Sequence, residues 1–177
     1  MNIECTIDFT YINENLNSQM PLSYLIRDLN YNDAEYIFYD CSCAKCGKCL
    51  VYIEGEGVCF SCLVPVLSIN KKHIITQDAY MLRDIASDVQ DAFKILKISP
   101  CSECYKSKVM LIGYIVERLL ERDKIIDKDE DKTGNEIRYR ENLIHSSIKM
   151  STCKCMLESD IYSLIDTTLK IRRNHLA

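Results

Sequence analysis

Cysteine is the residue type in this sequence with the clearest capacity for chemistry, because the chain contains eleven cysteines among 177 residues. Residues 1–6 lack the basic start and apolar core of a signal peptide, so a cytoplasmic location is expected. Since cytosolic thiols are kept reduced, these cysteines are predicted to bind metal before they form disulfides. Eight of the eleven fall into two groups, first Cys41, Cys46, Cys49 and Cys62, then Cys101, Cys104, Cys153 and Cys155.

The first group has the spacing C-x4-C-x2-C followed by a distant fourth cysteine. This spacing is typical of plant-type [2Fe–2S] ferredoxins, in which a short loop wraps an anionic cluster closely. Gly47 lies beside two of the cysteines and permits the positive φ that such a loop requires, so it is counted with the cofactor-binding residues. The fourth thiolate, from Cys62, is expected at the rigid end of a hairpin.

The second group consists of two cysteine pairs, and each pair is predicted to lie between two helices. Cys101-x2-Cys104 precedes one apolar helical stretch, and Cys153-x-Cys155 precedes another. Two such pairs at the meeting ends of helices can supply four thiolates around one point. Helix N-termini at the same place would offset the negative charge of a bound cluster.

Three cysteines remain outside these groups, and they leave an alternative open. Cys5 is predicted to be a packed strand residue. Cys43-x2-Cys46 together with Cys59-x2-Cys62 has the spacing of a zinc ribbon, which would make the chain a zinc-stapled interaction module. A third possibility is a stand-alone ferredoxin-like carrier or redox sensor.

The secondary structure that must position these cysteines is predicted to change from strands to helices near residue 77. Before it, alternating and β-branched residues favour strands joined by hairpins, with one short helix that starts at Pro21. Residues 1–77 are therefore predicted to form a small mixed sheet with one helix. The predicted strands are Ile3–Phe9, a short strand near Tyr11–Asn17, Leu50–Ile53 with its return from Val58, and His73–Thr76.

Residues 78–177 have the apolar period of helices and are predicted to form a helical bundle, so the chain is assigned to the α+β class. A charged stretch at 121–136 interrupts the bundle, and His175 is placed in a frayed tail. The predicted helices are 82–96, Ser107–Leu120, Glu136–Met150 and one through Ile161–Leu169.

Composition excludes several classes of function. The chain has 26 acidic and 22 basic side chains, which disfavours a nucleic-acid partner. No apolar run approaches the length needed to cross a bilayer, so no membrane partner is expected. Neither a Ser/His/Asp arrangement nor a Gly-rich phosphate loop is present, and no residue is assigned a catalytic role.

These motifs resemble the small iron–sulfur subunit of the xanthine oxidase and carbon monoxide dehydrogenase family of molybdenum hydroxylases. The resemblance covers nearly the whole chain. Residues 21–28 resemble the family's "TPLLYVLRD", 46–55 its "CGACTVLIDG", 61–66 its "SCLVPV" and 89–93 its "IQQAF", while 101–104 stand where "CGFC" would be and 153–155 where "CRC" would be.

The resemblance implies a β-grasp, plant-type ferredoxin-like domain followed by an all-α four-helix-bundle domain. It implies one [2Fe–2S] cluster in each domain. It also implies two partners, a large subunit that binds molybdopterin and a medium subunit that binds FAD, or a fused equivalent. Electrons would pass from the catalytic subunit through the helical-domain cluster and then the ferredoxin-domain cluster to flavin.

The sequence departs from the family pattern beside the second group. Pro100 stands where the family has a glutamine that touches the pterin, and Tyr105-Lys106-Ser107 replaces the usual "TPG". The 48 residues between Cys104 and Cys153 exceed the family expectation, which identifies 121–136 as a charged insertion. These departures put the molybdenum partner in doubt more than the clusters.

Overall fold

The computed structural model describes residues 2–29, 47–126, 134–150 and 153–176, apart from the side chains at 124–126 and 134–136. The chain divides into two compact units, Met1–Tyr80 and Met81–Ala177. The first is built on a sheet and the second is helical. Within the described residues there are five strands and six α-helices, which confirms the α+β class.

The first unit is a five-stranded sheet with short helices. Two strands precede the first helix and three follow it, and two 3-10 turns at Ser61–Leu63 and Val66–Ile69 come before the last strand. The elements are β1 (Asn2–Ile7), β2 (Thr10–Asn15), α1 (Leu22–Leu29), β3 (Leu50–Ile53), β4 (Gly57–Phe60), β5 (His73–Ile75) and α2 (Gln77–Tyr80).

The strand order in this sheet is β2-β1-β5-β3-β4. β1 and β5 are parallel, with Ile7 beside Ile74, and the other three neighbouring pairs are antiparallel. The β3–β4 hairpin turns through residues 54–56, between the predicted strand Leu50–Ile53 and its return. The hairpin thereby brings the start of β3, next to Cys49, opposite the end of β4, next to Cys62.

The core of the first unit lies between one face of the sheet and α1. Alternate residues of β1 point into it because successive strand side chains face opposite sides. Leu22, Leu25 and Ile26 of α1 cover the same face, all of them buried. Cys5 belongs to this core and is only 3% exposed, which confirms that it is a packed strand residue.

The first strand ends two residues earlier than expected. Asp8 has a φ of 53° and turns the chain into β2, with Ile7 opposite Thr10. The Asp8 carboxylate accepts hydrogen bonds from the Thr76 backbone N–H at 2.7 Å and from the Thr76 hydroxyl at 2.8 Å. Thr76, 68 residues away in sequence, thus stabilises the left-handed conformation of Asp8. The alternation of apolar and polar residues in β1 could therefore not predict where the turn begins.

The second unit contains four helices longer than three turns. They are joined by short connections at the two cysteine pairs and by the charged stretch. Their buried residues include Val89 and Phe93 in the first helix and Leu164 and Leu169 in the last. The helices are α3 (Asp84–Leu96), α4 (Tyr105–Ile126), α5 (Gly134–Ile148) and α6 (Glu158–Leu176).

Three expectations for this half were wrong in detail. α4 continues to Ile126, because the first part of the charged stretch consists of good helix formers. Leu82 was placed on the apolar stripe of α3, but it precedes that helix and is 74% exposed. His175 is in α6, and its Nδ1 lies 2.9 Å from the carboxylate of buried Asp88.

Among the carboxylates of the helical unit that the structure describes, Asp88 is the most buried, with its side chain only 3% exposed. Arg172 approaches it at 3.3 Å, on the same helix as His175. This cluster ties the last turns of α6 to the first half of α3. Among the helices of the described chain, none is long and apolar enough to cross a membrane.

Candidate metal centre

The four cysteines of the second group lie together in the helical unit. Their sulfur atoms are all within 4.8 Å of one another. The Sγ atoms of Cys101 and Cys104 are 2.8 Å apart, those of Cys104 and Cys155 are 3.1 Å apart, and those of Cys101 and Cys153 are 3.7 Å apart. Two segments some fifty residues apart in sequence therefore converge on one point.

A 3-10 turn at Ser102–Cys104 positions the first pair directly in front of α4. The Cys104 N–H donates to the Cys101 carbonyl at 3.2 Å, which folds the pair around one turn. The Ser107 hydroxyl donates to the Cys104 carbonyl at 2.9 Å and fastens this turn to the helix. Both thiols of the pair are thus held at the positive end of the α4 dipole.

The second pair leads into α6. Cys153 and Cys155 are partly exposed, and α6 begins three residues later at Glu158. The Asp160 carboxylate accepts a hydrogen bond from the Leu157 N–H at 3.0 Å and caps this start. As expected, the beginnings of two helices lie next to the cysteine pairs, although Cys153–Cys155 are farther from their helix than Cys101–Cys104 are.

The four thiols differ in environment. Cys101 is exposed, and the hydrogen bond from the Cys104 thiol lowers the pKa of Cys101 to about 7. Cys104 is buried, and this burial raises its pKa above that of an ordinary thiol. One thiol of the group is therefore ready to ionise near neutral pH, and the rest would lose their protons to a metal, which requires thiolate ligands.

The four cysteines fit a metal centre whose protein ligands are all sulfur atoms. Four thiolates around one point are the ligands of tetrahedral zinc and of iron–sulfur clusters. A zinc ion with Zn–S bonds of about 2.3 Å places its sulfurs roughly 3.8 Å apart. The observed sulfur separations, all below 4.8 Å, match such a compact group, and a [2Fe–2S] cluster uses the same four ligands with a wider spacing.

Two of the four cysteines in the first group fall within the described residues. Cys49 is fully buried directly before β3, and Cys62 is 5% exposed in the 3-10 turn after β4. Ser61 joins the two positions, since its N–H and its hydroxyl both donate to the Cys49 carbonyl, at 2.9 Å and 2.8 Å. Gly47 has a φ of 72°, in the left-handed region that favours glycine.

Cys41 and Cys46 lie outside the described residues, as does Cys43. The proposed closure of the first group around a metal therefore stays a prediction, and so does the zinc-ribbon alternative. The other two cysteines of the zinc-ribbon motif, Cys59 and Cys62, are described. Burial, and after it Glu56, raises the pKa of Cys59 to about 12, while Lys72 acts in the opposite direction.

One buried residue near the second group was missed from sequence. Lys108 is only 3% exposed, four residues after Cys104 in the first turns of α4. The signal was present, because position 108 falls on the apolar stripe that continues through Leu111 and Ile115. The sequence pattern assigns Lys108 to a helix and predicts no function for it.

Comparison with known proteins gives a likeness of fold. No family model matches the chain, and no curated protein matches its sequence. Among solved structures, quinoline 2-oxidoreductase from Pseudomonas putida 86 is similar, with a TM-score of 0.62 and 17% identity. The match covers 98% of this chain and 96% of that one.

Two further similar structures are aldehyde oxidoreductases. The enzyme from Desulfovibrio desulfuricans ATCC 27774 has a TM-score of 0.63 and 12% identity, and the one from Desulfovibrio gigas has 0.64 and 13%. The matches cover 98% and 99% of this chain, but only 17% of each aldehyde oxidoreductase. The chain thus spans about one sixth of those proteins, and at these identities the likeness concerns the fold.

Proposed function

We propose that this chain is the electron-transfer iron–sulfur component of a molybdenum-hydroxylase-type oxidoreductase. It would relay single electrons through two [2Fe–2S] clusters, between a catalytic subunit that binds molybdopterin and a subunit that binds FAD or another acceptor. The chain itself would bind no substrate and carry no catalytic residue. A cytosolic location belongs to the same proposal.

The observation that carries this proposal is the convergence of Cys101, Cys104, Cys153 and Cys155. They converge in a chain whose whole length has the fold of oxidoreductase components. When bound by these four thiolates, a [2Fe–2S] cluster accepts and donates one electron at a time. Within the described residues this group consists of four cysteines, which is the ligand set of a plant-type [2Fe–2S] cluster.

The residues around the second group have definable tasks in this role. Cys101 is exposed, so the site lies near the molecular surface, where an electron can enter from a partner. Cys104 and the apolar helix behind it shield the opposite side from water. The Ser107 hydroxyl and the 3-10 turn fix the first cysteine pair before any metal arrives, which reduces the conformational entropy lost on binding.

For the first unit we propose a β-grasp domain of the plant-type ferredoxin kind, with residues 1–77 as its extent. Cys41, Cys46, Cys49 and Cys62 would hold its cluster, and Gly47 would allow the loop to approach it. The mixed sheet with parallel central strands supports this fold. The double hydrogen bond from Ser61 to Cys49 supports the site, because it couples the positions beside two of the proposed ligands.

For residues 78–177 we propose a four-helix domain that binds the second cluster. The partner side of this domain would differ from that of the resembled family. Pro100 is buried directly before Cys101 and offers no side-chain amide to a pterin. A catalytic partner with altered contacts at this point is therefore part of the proposal.

The deciding experiment is a count of iron, sulfide and zinc per chain on anaerobically purified protein, together with EPR after dithionite reduction. Two clusters require about four irons and four sulfides and two S = ½ signals. Zinc at one ion per four cysteines with no EPR signal would overturn the electron-transfer function and leave a zinc-stapled interaction module. Two clusters in a chain that copurifies with no flavin or molybdenum protein would instead indicate a stand-alone carrier.

A further inference from the structure

Three arginines of the helical unit line one cavity. They come from different helices, Arg122 from α4, Arg140 from α5 and Arg173 from α6. The cavity has a volume of about 70 Å³, and the rest of its lining is Leu119, Asp123 and Leu169. Because about 10–15 Å³ is enough for one water molecule, this cavity has room for a small polyatomic ion.

Arg122 differs from the other two arginines in having no carboxylate partner among the described residues. Arg173 pairs with Asp123 at 2.7 Å, and Arg140 pairs with Asp166. The Nε atom of Arg122 is buried and has no hydrogen-bond partner. A buried donor on a charged group is costly when it stays unsatisfied, so an acceptor at this nitrogen would stabilise the folded chain.

Packing holds the Arg122 side chain in place. Its guanidinium carbon lies 4.2 Å from the centre of the Tyr139 ring. Stacking on a ring face orients the guanidinium and leaves the N–H donors in its plane available for hydrogen bonds. Leu119 and Leu169 in the lining are buried, so part of the cavity wall is apolar, which strengthens the attraction between an anion and the arginines.

The cavity has an excess of positive charge, although the chain as a whole is acidic. Three guanidinium groups meet only two carboxylates, those of Asp123 and Asp166. Like charges that converge from three helices repel one another, and an anion between them replaces this repulsion by attraction. Guanidinium groups match the oxygens of phosphate and carboxylate groups with pairs of parallel hydrogen bonds.

We propose that this cavity binds a phosphate group, either as the free ion or on a small phosphate monoester, with Arg122 as its central ligand. A phosphate monoester carries about −1.5 to −2 charges at pH 7 and three acceptor oxygens, which suits three guanidinium groups better than one carboxylate does. Arg140 and Arg173 are 38% and 59% exposed, so the ligand can enter from solvent. The site contains none of the cysteines and goes beyond the proposed electron transfer.

Isothermal titration calorimetry of the full chain with sodium phosphate, at constant ionic strength, compares Arg122→Met with Arg118→Met. Both substitutions remove one guanidinium from α4, but Arg118 pairs with Glu121 on the surface and does not line the cavity. We expect wild type to bind one phosphate per chain. Arg122→Met should weaken this binding at least about tenfold, because it removes hydrogen bonds to a charged group. Arg118→Met should weaken it less than about threefold, because water and salt screen an exposed charge.

Asp123→Asn should act in the opposite direction. It removes the carboxylate that competes with phosphate for Arg173, so we expect about threefold tighter binding, which a misfolded variant could not give. Titration with glycerol phosphate distinguishes the two sources of the ligand, since binding of both compounds indicates a monoester site and binding of phosphate alone indicates a site for the free ion.

Succinate, a dicarboxylate, is the matched anion and should bind more weakly than phosphate. Three results would each overturn the proposal. They are no saturable binding of phosphate, equal weakening by Arg122→Met and Arg118→Met, and tighter binding of succinate than of phosphate.

Discussion

The two units arrange their cysteines in different ways. In the helical unit, four thiols come from two connections that each precede a helix, and their sulfurs already lie within 4.8 Å of one another. In the sheet unit, Cys49 and Cys62 are carried by the two ends of a hairpin and are coupled through Ser61. Helix starts bring a group together through packing of whole helices, whereas strand ends position ligands through the register of a sheet.

Each group of cysteines should therefore depend on a different kind of interaction. The helical group should depend on the packing of α4 and α6 and on charges near the helix starts. The sheet group should depend on a few local hydrogen bonds. Substitutions at one site should therefore leave the other site intact.

Replacing one ligand should remove one site and spare the other. We expect Cys155→Ser to lose about half of the iron and one of two EPR signals, and Cys49→Ser to lose the other half, since each substitution removes one of four thiolates. Iron analysis with EPR measures both. Cys5→Ser is the matched control, because Cys5 packs in the sheet core and belongs to neither group, and an equal loss of iron there would contradict the assignment of ligands.

Asp88→Asn should destabilise the helical unit. It removes the charge that Arg172 and His175 share at a buried carboxylate, and we expect the free energy of unfolding to fall by about 2 kcal/mol. Urea unfolding followed by circular dichroism measures the loss. Asp91→Asn is the control, since Asp91 meets Lys94 on the exposed face and should change nothing measurable. A stability equal to that control would mean that helix packing does not need this cluster.

Cys59 should make the sheet unit less stable in alkaline solution. Burial raises the pKa of Cys59 to about 12, so the folded thiol stays protonated after the unfolded one, with a pKa of 9.0, has ionised. The stability that this gives is complete below pH 9 and is lost as the pH rises toward 12, by about 1.4 kcal/mol at pH 10.

Urea unfolding of wild type and Cys59→Ser at pH 8 and pH 10 isolates this contribution. The wild type should lose more stability than the variant between the two pH values. If both lose the same amount, the Cys59 thiol ionises as easily in the folded chain as in the unfolded one.

Ser61→Ala should have the smallest effect and should act only on the sheet unit. It removes one of two hydrogen bonds to the Cys49 carbonyl, so we expect a loss of about 1 kcal/mol in the free energy of unfolding. The EPR signal that depends on Cys49 should change in shape, while the signal that depends on Cys155 stays the same. Ser68→Ala, which removes an exposed bond to the Pro65 carbonyl, is the control.

Sequence predicted the order of strands and helices well, because periodicity is a property of each segment by itself. It did not predict the turn at Asp8, where Thr76 supplies the decisive hydrogen bonds from 68 residues away. It also missed the contact of His175 with Asp88. These residues lie on α6 and α3, which meet only after folding. Elements follow from local pattern, and their exact ends follow from tertiary partners.

For the candidate site, spacing placed Cys101, Cys104, Cys153 and Cys155 in one group, and the structure brings those four sulfurs together. That they hold a metal or cluster stays a prediction, which the preference of such centres for thiolates supports. Lys108 could not be recognised in the same way, since a helical pattern alone does not say whether a lysine reaches water from an apolar stripe. Its burial became visible only when α4, α5 and α6 packed around it.

The distance in sequence between Cys104 and Cys153 has a mechanical consequence. A metal held by both cysteine pairs closes a loop whose 48 intervening residues include α4 and α5. A force applied to the chain ends cannot stretch that loop while the metal stays bound. About 160 Å of contour length would therefore remain hidden in single-molecule pulling and appear only when the metal–sulfur bonds break.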